Sequence, residues 1–281
     1  MLSIQDLSEL NKIAIIAAEK ASHIIQQNFG KIKVSHKASG SSEASQIVTE
    51  ADLESEKIII DTLKESIEFY NLGLLAEEST DNNSRFTKDY FWCIDPLDGT
   101  MQYSQGKSGY SISIALVERN GNPVLGVIKD PYFDKLYTYN TPIQSSSKEH
   151  ESNTVTIITD NSFFKSSFSD RFKEAVKKSK HEIIMQNIGG AVLSAMHVLN
   201  TPNSIFVKFP KEETGGGCIW DYAASVFLFN KNNISPVNFD DLPIHLNPSE
   251  SLYYNEKGVI FSNSYKLKKI AIESYQNHMT K

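Results

Sequence analysis

Apolar residues at Ile4, Leu7, Leu10, Ala14, Ala17, Ala18, Ala21, Ile24, Ile25 and Phe29 recur at intervals of three and four. This predicts an amphipathic helix that ends at Gly30. The Ser-rich stretch from Ser35 to Ser45 predicts a flexible loop. A second helix is predicted from Thr49, with Ile58, Ile59, Leu63 and Ile67 turned inward. Two short apolar strands follow: Leu72 to Ala76, ending at Glu77-Glu78, and Tyr90 to Ile94, ending at Asp95. Tyr110, Ile112, Ile114 and Leu116 alternate with Ser111, Ser113 and Ala115, the period of a strand. Asn120-Gly121 signals a hairpin turn, and Val124–Ile128 and Leu136–Tyr139 extend the sheet. The first half therefore reads as α+β, with helices on a largely antiparallel sheet.

Beyond the polar stretch 140–153 the order changes to strand 154–159, helix 168–179, strand 182–187, helix 190–200 and strand 204–209. A Gly215-Gly216-Gly217 loop, a helix from about Asp221, a strand Val259–Ser262 and a final helix close the chain. Such alternation predicts an α/β second half. Two domains are expected, residues 1–148 and 149–281, in keeping with roughly 100–200 residues per domain.

Composition narrows the function. A formal net charge of −6 over 281 residues repels nucleic acid and anionic membranes at long range. A polynucleotide partner is not expected. A small anionic substrate remains compatible if bound cations reverse the local field. The first residues carry Asp6 and Glu9 and lack a basic segment before an apolar one, so no signal peptide is expected. With no run of about 18 apolar residues, no membrane span is expected, and a cytoplasmic location follows by default. Cys93 and Cys218 lack metal-type spacing and are read as buried free thiols.

The chemistry concentrates in Asp95-Pro96-Leu97-Asp98-Gly99-Thr100. Pro96 fixes φ and Gly99 permits positive φ, so the chain can turn and aim Asp95, Asp98 and the Leu97 carbonyl at one point. All are hard oxygen donors, which suits Mg²⁺ and not Zn²⁺. Thr100 is placed as a helix N-cap, leaving the Gly99 and Thr100 amides for a phosphate oxygen. Two further acidic sites, Glu77-Glu78 and Asp221, also lie at the ends of apolar strands or starts of helices. Either alone reads as a loop acid or a first-turn helix acid.

Together Val48-Thr49-Glu50-Ala51-Asp52, Ala76-Glu77-Glu78-Ser79, Asp95–Thr100 and Trp220-Asp221-Tyr222-Ala223-Ala224 resemble, in order and spacing, the motifs of the inositol monophosphatase superfamily. The resemblance covers nearly the whole chain. It implies a layered αβαβα sandwich and a Mg²⁺-dependent, Li⁺-sensitive phosphomonoesterase. Carried over position by position, Glu77, Asp95 and the Leu97 carbonyl would hold one Mg²⁺, and Asp95, Asp98 and Asp221 a second. Glu78 would help a third through water. Thr100, hydrogen-bonded to Asp52, would orient a nucleophilic water, with Asp52 and Glu77 sharing proton acceptance. Asp52 also reads as part of a helix-capping pattern with Thr49. The family pattern further implies a homodimer.

Within the superfamily the chain looks more similar to 3′(2′),5′-bisphosphate nucleotidases than to inositol monophosphatases. Leu97 stands where the latter usually carry Ile, and Pro123–Val127 resembles the nucleotidase strand. Lys208 stands where they tend to carry a sugar-binding acid. It reads either as the partner of a second phosphate or as an exposed strand lysine. Gly189-Gly190 reads either as a source of amides for phosphate, with Gly190 and Asp221 beside substrate, or as close helix packing. His197 reads as a packed or surface residue. Met101-Gln102-Tyr103, the Gly215–Gly217 loop and Asn230–Asn233 depart from the family pattern around the leaving-group pocket. An inositol monophosphatase and a non-catalytic phosphate-binding member are the alternatives. A haloacid-dehalogenase phosphatase fits poorly, because two residues, Pro96 and Leu97, separate the aspartates where its motif has one.

Overall fold

The computed structural model describes residues 1–30, 34–36, 47–142, 154–179, 182–215 and 217–279. The elements of the first half are α1 (Ile4–Asn28), β1 (Val34–His36), β2 (Ile47–Thr49), α2 (Glu50–Phe69), β3 (Gly73–Ala76), β4 (Tyr90–Asp98), α3 (Thr100–Ser104), β5 (Ser111–Glu118), β6 (Pro123–Asp130) and β7 (Lys135–Tyr137). The second half holds β8 (Thr154–Thr159), α4 (Asn161–Lys165), α5 (Ser169–Lys178), β9 (Glu182–Asn187), α6 (Ala191–Asn200), β10 (Ser204–Lys208), α7 (Ile219–Lys231), β11 (Val259–Ser262) and α8 (Tyr265–Met279). Most of the loop expected at 35–45, and the boundary expected between 148 and 149, lie outside the described residues.

Strand order in the first sheet is β3-β4-β5-β6-β7, with β3 parallel to β4 and the remaining pairs antiparallel. The second sheet runs β11-β10-β8-β9, with β8 parallel to both neighbours and β11 antiparallel to β10. Successive strand side chains point to opposite faces, and this sorts the core into layers. Trp92, Ile94, Ile112, Ile114 and Leu116 pack against Leu10, Ala14, Ile59 and Leu63 of α1 and α2. Phe91, Cys93, Ala115 and Val117 turn the other way, onto α6 and α7. The far side of those helices meets Ile158, Phe206 and Phe261 of the second sheet. Val155, Ile157, Ile205 and Val207 cover α5 and α8. The result is the expected αβαβα sandwich, whose middle helices are apolar nearly all round because both faces meet a sheet. Cys93 and Cys218 are buried free thiols, and burial pushes both well up from the ordinary thiol range, so neither is poised as a nucleophile. None of the described helices is long and apolar enough to cross a membrane.

Candidate metal centre

The middle layer and the first sheet bring three carboxylates together. The strand β4 does not stop at Asp95 but runs on to Asp98. Pairing with β5 resumes at Asp98 after an irregularity: Asp95 faces Ser113, and Asp98 faces Ser111. Three steps on β4 therefore match two on β5, a bulge with Pro96 and Leu97 inside it. This corrects the turn expected after Asp95. The extra residue re-aims the strand, so that both acids project to one side. The third acid, Asp221, is the third residue of α7, where it accepts a hydrogen bond from the Cys218 amide at 2.7 Å. Oxygens of Asp95, Asp98 and Asp221 lie within 4.8 Å of one another.

Asp98 is clamped by the N-terminus of α6. The Ala191 amide donates to its Oδ1 at 3.1 Å and the Val192 amide to its Oδ2 at 2.9 Å. These donors are also the positive end of the helix dipole, which favours the charge. The amide of Gly190 donates to the Gly109 carbonyl at 2.8 Å. The amides expected at Gly190 for phosphate are thus already engaged. The need for glycine is a close approach: a Cβ at residue 190 would lie 2.1 Å from Asp98 Oδ2.

Thr100 was expected as an N-cap, but the capping position of α3 is Gly99, at φ 83°. Gly99 is held there because a Cβ would meet the Gly109 carbonyl oxygen at 2.5 Å. Thr100 is released to point at α2. Its hydroxyl lies 3.0 Å from Asp52 Oδ1 and 3.0 Å from the Leu97 carbonyl, and can donate to one of them at a time. Asp52 Oδ2 accepts from the Thr49 amide at 2.9 Å and from the Thr49 hydroxyl at 2.5 Å. Asp52 therefore caps α2 and contacts Thr100 at once. Both readings of that residue coexist in one side chain with two oxygens.

Glu77 follows β3, its amide donating to the Ile94 carbonyl at 3.2 Å. It stands outside the compact three-acid set, yet its charge acts on Asp52, Asp95 and Asp221. The Glu78 amide donates to Glu56 Oε2 at 2.7 Å. Lys208 is not an exposed strand lysine. Its side chain is 17% accessible, and its Nζ sits 2.9 Å from Asp160 Oδ2. Burial pulls its pKa down, but Asp160, Asp221 and Asp98 outweigh that and raise it. His197 lies on α6 with its Nε2 2.8 Å from the Gln186 side-chain oxygen, a packed position. Two residues escaped the sequence reading. Asp160 follows an apolar strand just as Asp95 was expected to, and Glu56 sits one helical turn after Asp52.

So much buried negative charge does not stay ionised unaided. Burial, then Asp221, pushes Asp98 up to about 8. Burial, then Glu77, Asp221 and Asp98, raises Asp95, and burial raises Asp221. Burial likewise takes Asp52 to about 6. Asp95 Oδ1 accepts from the Leu97 amide at 3.0 Å, whereas Oδ2 is buried with no hydrogen-bond donor among the described residues. Asp95 and Asp221 can share a proton without metal, and a cation can replace it between the oxygens of Asp95, Asp98 and Asp221, all of them hard donors. The residues therefore fit a hard divalent ion such as Mg²⁺. Gly190→Ala should push Asp98 aside and weaken Mg²⁺ binding by at least about tenfold, read by calorimetric titration. Unchanged affinity would show that the Asp98 clamp is not needed.

The described architecture is shared. The model of the inositol monophosphatase family matches residues 6–280. Inositol monophosphatase 2 of Solanum lycopersicum is 35% identical over 137 residues, covering 47% of this chain and 48% of that protein. The chain thus spans about half the length of the curated relatives it matches. The IMPase of Thermotoga maritima has the same fold, with a TM-score of 0.71 and 23% identity over 95% of this chain and 98% of its own. SaIMPase-II from Staphylococcus aureus, with 2′AMP bound, gives a TM-score of 0.72 and 19% identity over 97% and 96% of the two chains.

Proposed function

The chain belongs to the inositol monophosphatase family, and on that premise we propose that it is a Mg²⁺-dependent, Li⁺-sensitive phosphomonoesterase of small metabolites. The observation that carries this reading is the convergence of Asp95, Asp98 and Asp221, whose oxygens lie within 4.8 Å of one another. In this reading Asp95, Asp98, Asp221, Glu77 and the Leu97 carbonyl hold two ions, and Glu78 assists a third through water. Divalent ions bound there would supply positive charge to the attacking water and to the oxygens of the phosphoryl group.

The protein's own groups handle orientation and the proton. When the Thr100 hydroxyl donates to Asp52, its lone pairs are free to accept from a water. Asp52, pushed up to about 6, is poised near neutrality to take a proton through that hydroxyl. Glu77, which follows β3 beside Asp95, supplies a second acceptor. Gly99 keeps Thr100 in place, and Gly190 allows α6 to clamp Asp98.

The leaving group we favour carries a second phosphate, as in adenosine 3′,5′-bisphosphate. Lys208 supports this, because its buried ammonium faces the same acids and retains donors beyond the one given to Asp160. An inositol phosphate is the second reading, supported by the names of the relatives. SaIMPase-II, of this fold, has been seen with 2′AMP and with inositol monophosphate, so one such scaffold admits a nucleoside monophosphate as well as an inositol ester. Phosphate release from adenosine 3′,5′-bisphosphate and from inositol 1-phosphate, with and without Mg²⁺ and Li⁺, tests the reading. Absence of Mg²⁺-dependent release from either would remove it. Lys208→Met should lower kcat/KM for the bisphosphate by about 10- to 100-fold, the worth of one charge-assisted hydrogen bond. Turnover of inositol 1-phosphate should fall less, because that ester has no second phosphate for the ammonium to hold, and the loss of charge beside Asp98 and Asp221 is common to both substrates. Equal losses on both substrates would contradict the role given to Lys208.

A further inference from the structure

One face of α2 touches three separate parts of the metal centre. Asp52, Ser55 and Glu56, spaced at i, i+3 and i+4, share that face. Asp52 accepts from Thr100. The Ser55 hydroxyl donates to the Pro96 carbonyl, inside the β4 bulge, at 2.8 Å. Glu56 reaches the segment after β3, where its Oε2 accepts from the Glu78 amide at 2.7 Å and its Oε1 from the Ser79 hydroxyl. All three α2 side chains are buried.

A glutamate this deep is costly unless its oxygens find donors. Here both do, and both donors belong to the two residues that follow Glu77. The Glu77 amide is itself fixed to the Ile94 carbonyl. Its backbone is therefore held on one side by β4 and on the other by Glu56. Without these contacts the half-buried bend at Glu77 and Glu78 would have to order itself each time a ligand bound.

We infer that Glu56 is a positioning residue of the metal centre: it grips Glu78 and Ser79 so that the Glu77 carboxylate is preset toward Asp95 and Asp221. The inference rests on the proposal that Glu77 is a metal ligand. It makes α2 the common frame of the site, setting the proton path through Asp52, the bulge through Ser55 and the outlying ligand through Glu56.

Calorimetric titration of Mg²⁺ into metal-free protein tests this without turnover. Glu56→Ala should bind Mg²⁺ about 10- to 100-fold more weakly than wild type, the usual cost of losing a group that orients a ligand. Glu56→Gln should recover part of that loss, since its carbonyl oxygen can still accept from the Glu78 amide and its NH₂ can donate to Ser79. Half-activating Mg²⁺ should rise in step, while KM at saturating Mg²⁺ stays put. Ser66→Ala controls for stability: Ser66 is a buried α2 hydroxyl that donates to the Leu63 carbonyl at 2.6 Å, away from the site. It should melt earlier yet keep wild-type affinity. If Glu56→Ala does not fold, Glu56→Asp keeps the charge but falls one methylene short, and should weaken binding in the same direction. Affinity within about twofold of wild type in the Glu56 variants, or an equal loss in Ser66→Ala, would overturn the inference while leaving the phosphatase reading intact. Failure of the wild type to bind Mg²⁺ would overturn both.

Discussion

Asp95→Asn is expected to have opposite effects on activity and on metal-free stability. Mg²⁺-dependent phosphate release should fall by well over about 100-fold, more than the loss of a group that merely orients a ligand. The same change removes an acid that, near pH 8, folding must either keep charged among other acids or protonate at a cost. The metal-free variant should therefore melt at a higher temperature than metal-free wild type near pH 8. Adding Mg²⁺ should stabilise wild type and do little for the variant. Retained turnover would contradict the ligand role. A lower melting temperature in the absence of metal would contradict the picture of a repulsive cluster that cations neutralise.

Metal-free wild type should also lose stability as pH rises, the reverse of ordinary acid denaturation. The sign follows from which state holds more protons. Asp98 is pushed up to about 8 in the folded protein, against about 4 for an unfolded aspartate. Between those values the folded state binds the extra proton, so unfolding becomes easier as pH climbs through the window. Asp95 and Asp221 are raised as well and act in the same sense. Mg²⁺ replaces those protons, so its stabilising effect should be larger at pH 8 than at pH 5.5. Melting curves at both pH values, with a chelator and with excess Mg²⁺, provide the check. A metal-free protein that grows more stable from pH 5.5 to 8 would contradict the assignment.

How much of this was legible in the sequence depends on whether the relevant partner was local. The helices α1 and α2 could be read from spacing, because a 3.6-residue period writes itself into any buried helix face. Asp95, Glu77 and Asp221 could be singled out because each terminates an apolar run or opens a helix. The bulge at Pro96-Leu97 could not, since it is defined by where β5 resumes pairing. Nor could the clamp on Asp98, whose amide donors lie 93 and 94 residues away. The same distance kept the two readings of Gly190 apart in the sequence, and the close approach of Asp98 favours packing. Lys208 was noticed, but its partner Asp160 comes from the neighbouring strand, and only the second sheet brings them together. Glu56 was within reach of a local argument. Its spacing alone gives no sign of the Glu78 and Ser79 contacts, because a glutamate in a helix is ordinarily solvated.

The most direct test of the central claim is a crystal of the protein soaked in Mn²⁺ and measured at the manganese absorption edge. Anomalous peaks are expected within ligand distance of Asp95, Asp98 and Asp221 together, one of them also reaching Glu77. Manganese bound elsewhere, with these carboxylates left to share protons, would contradict that claim.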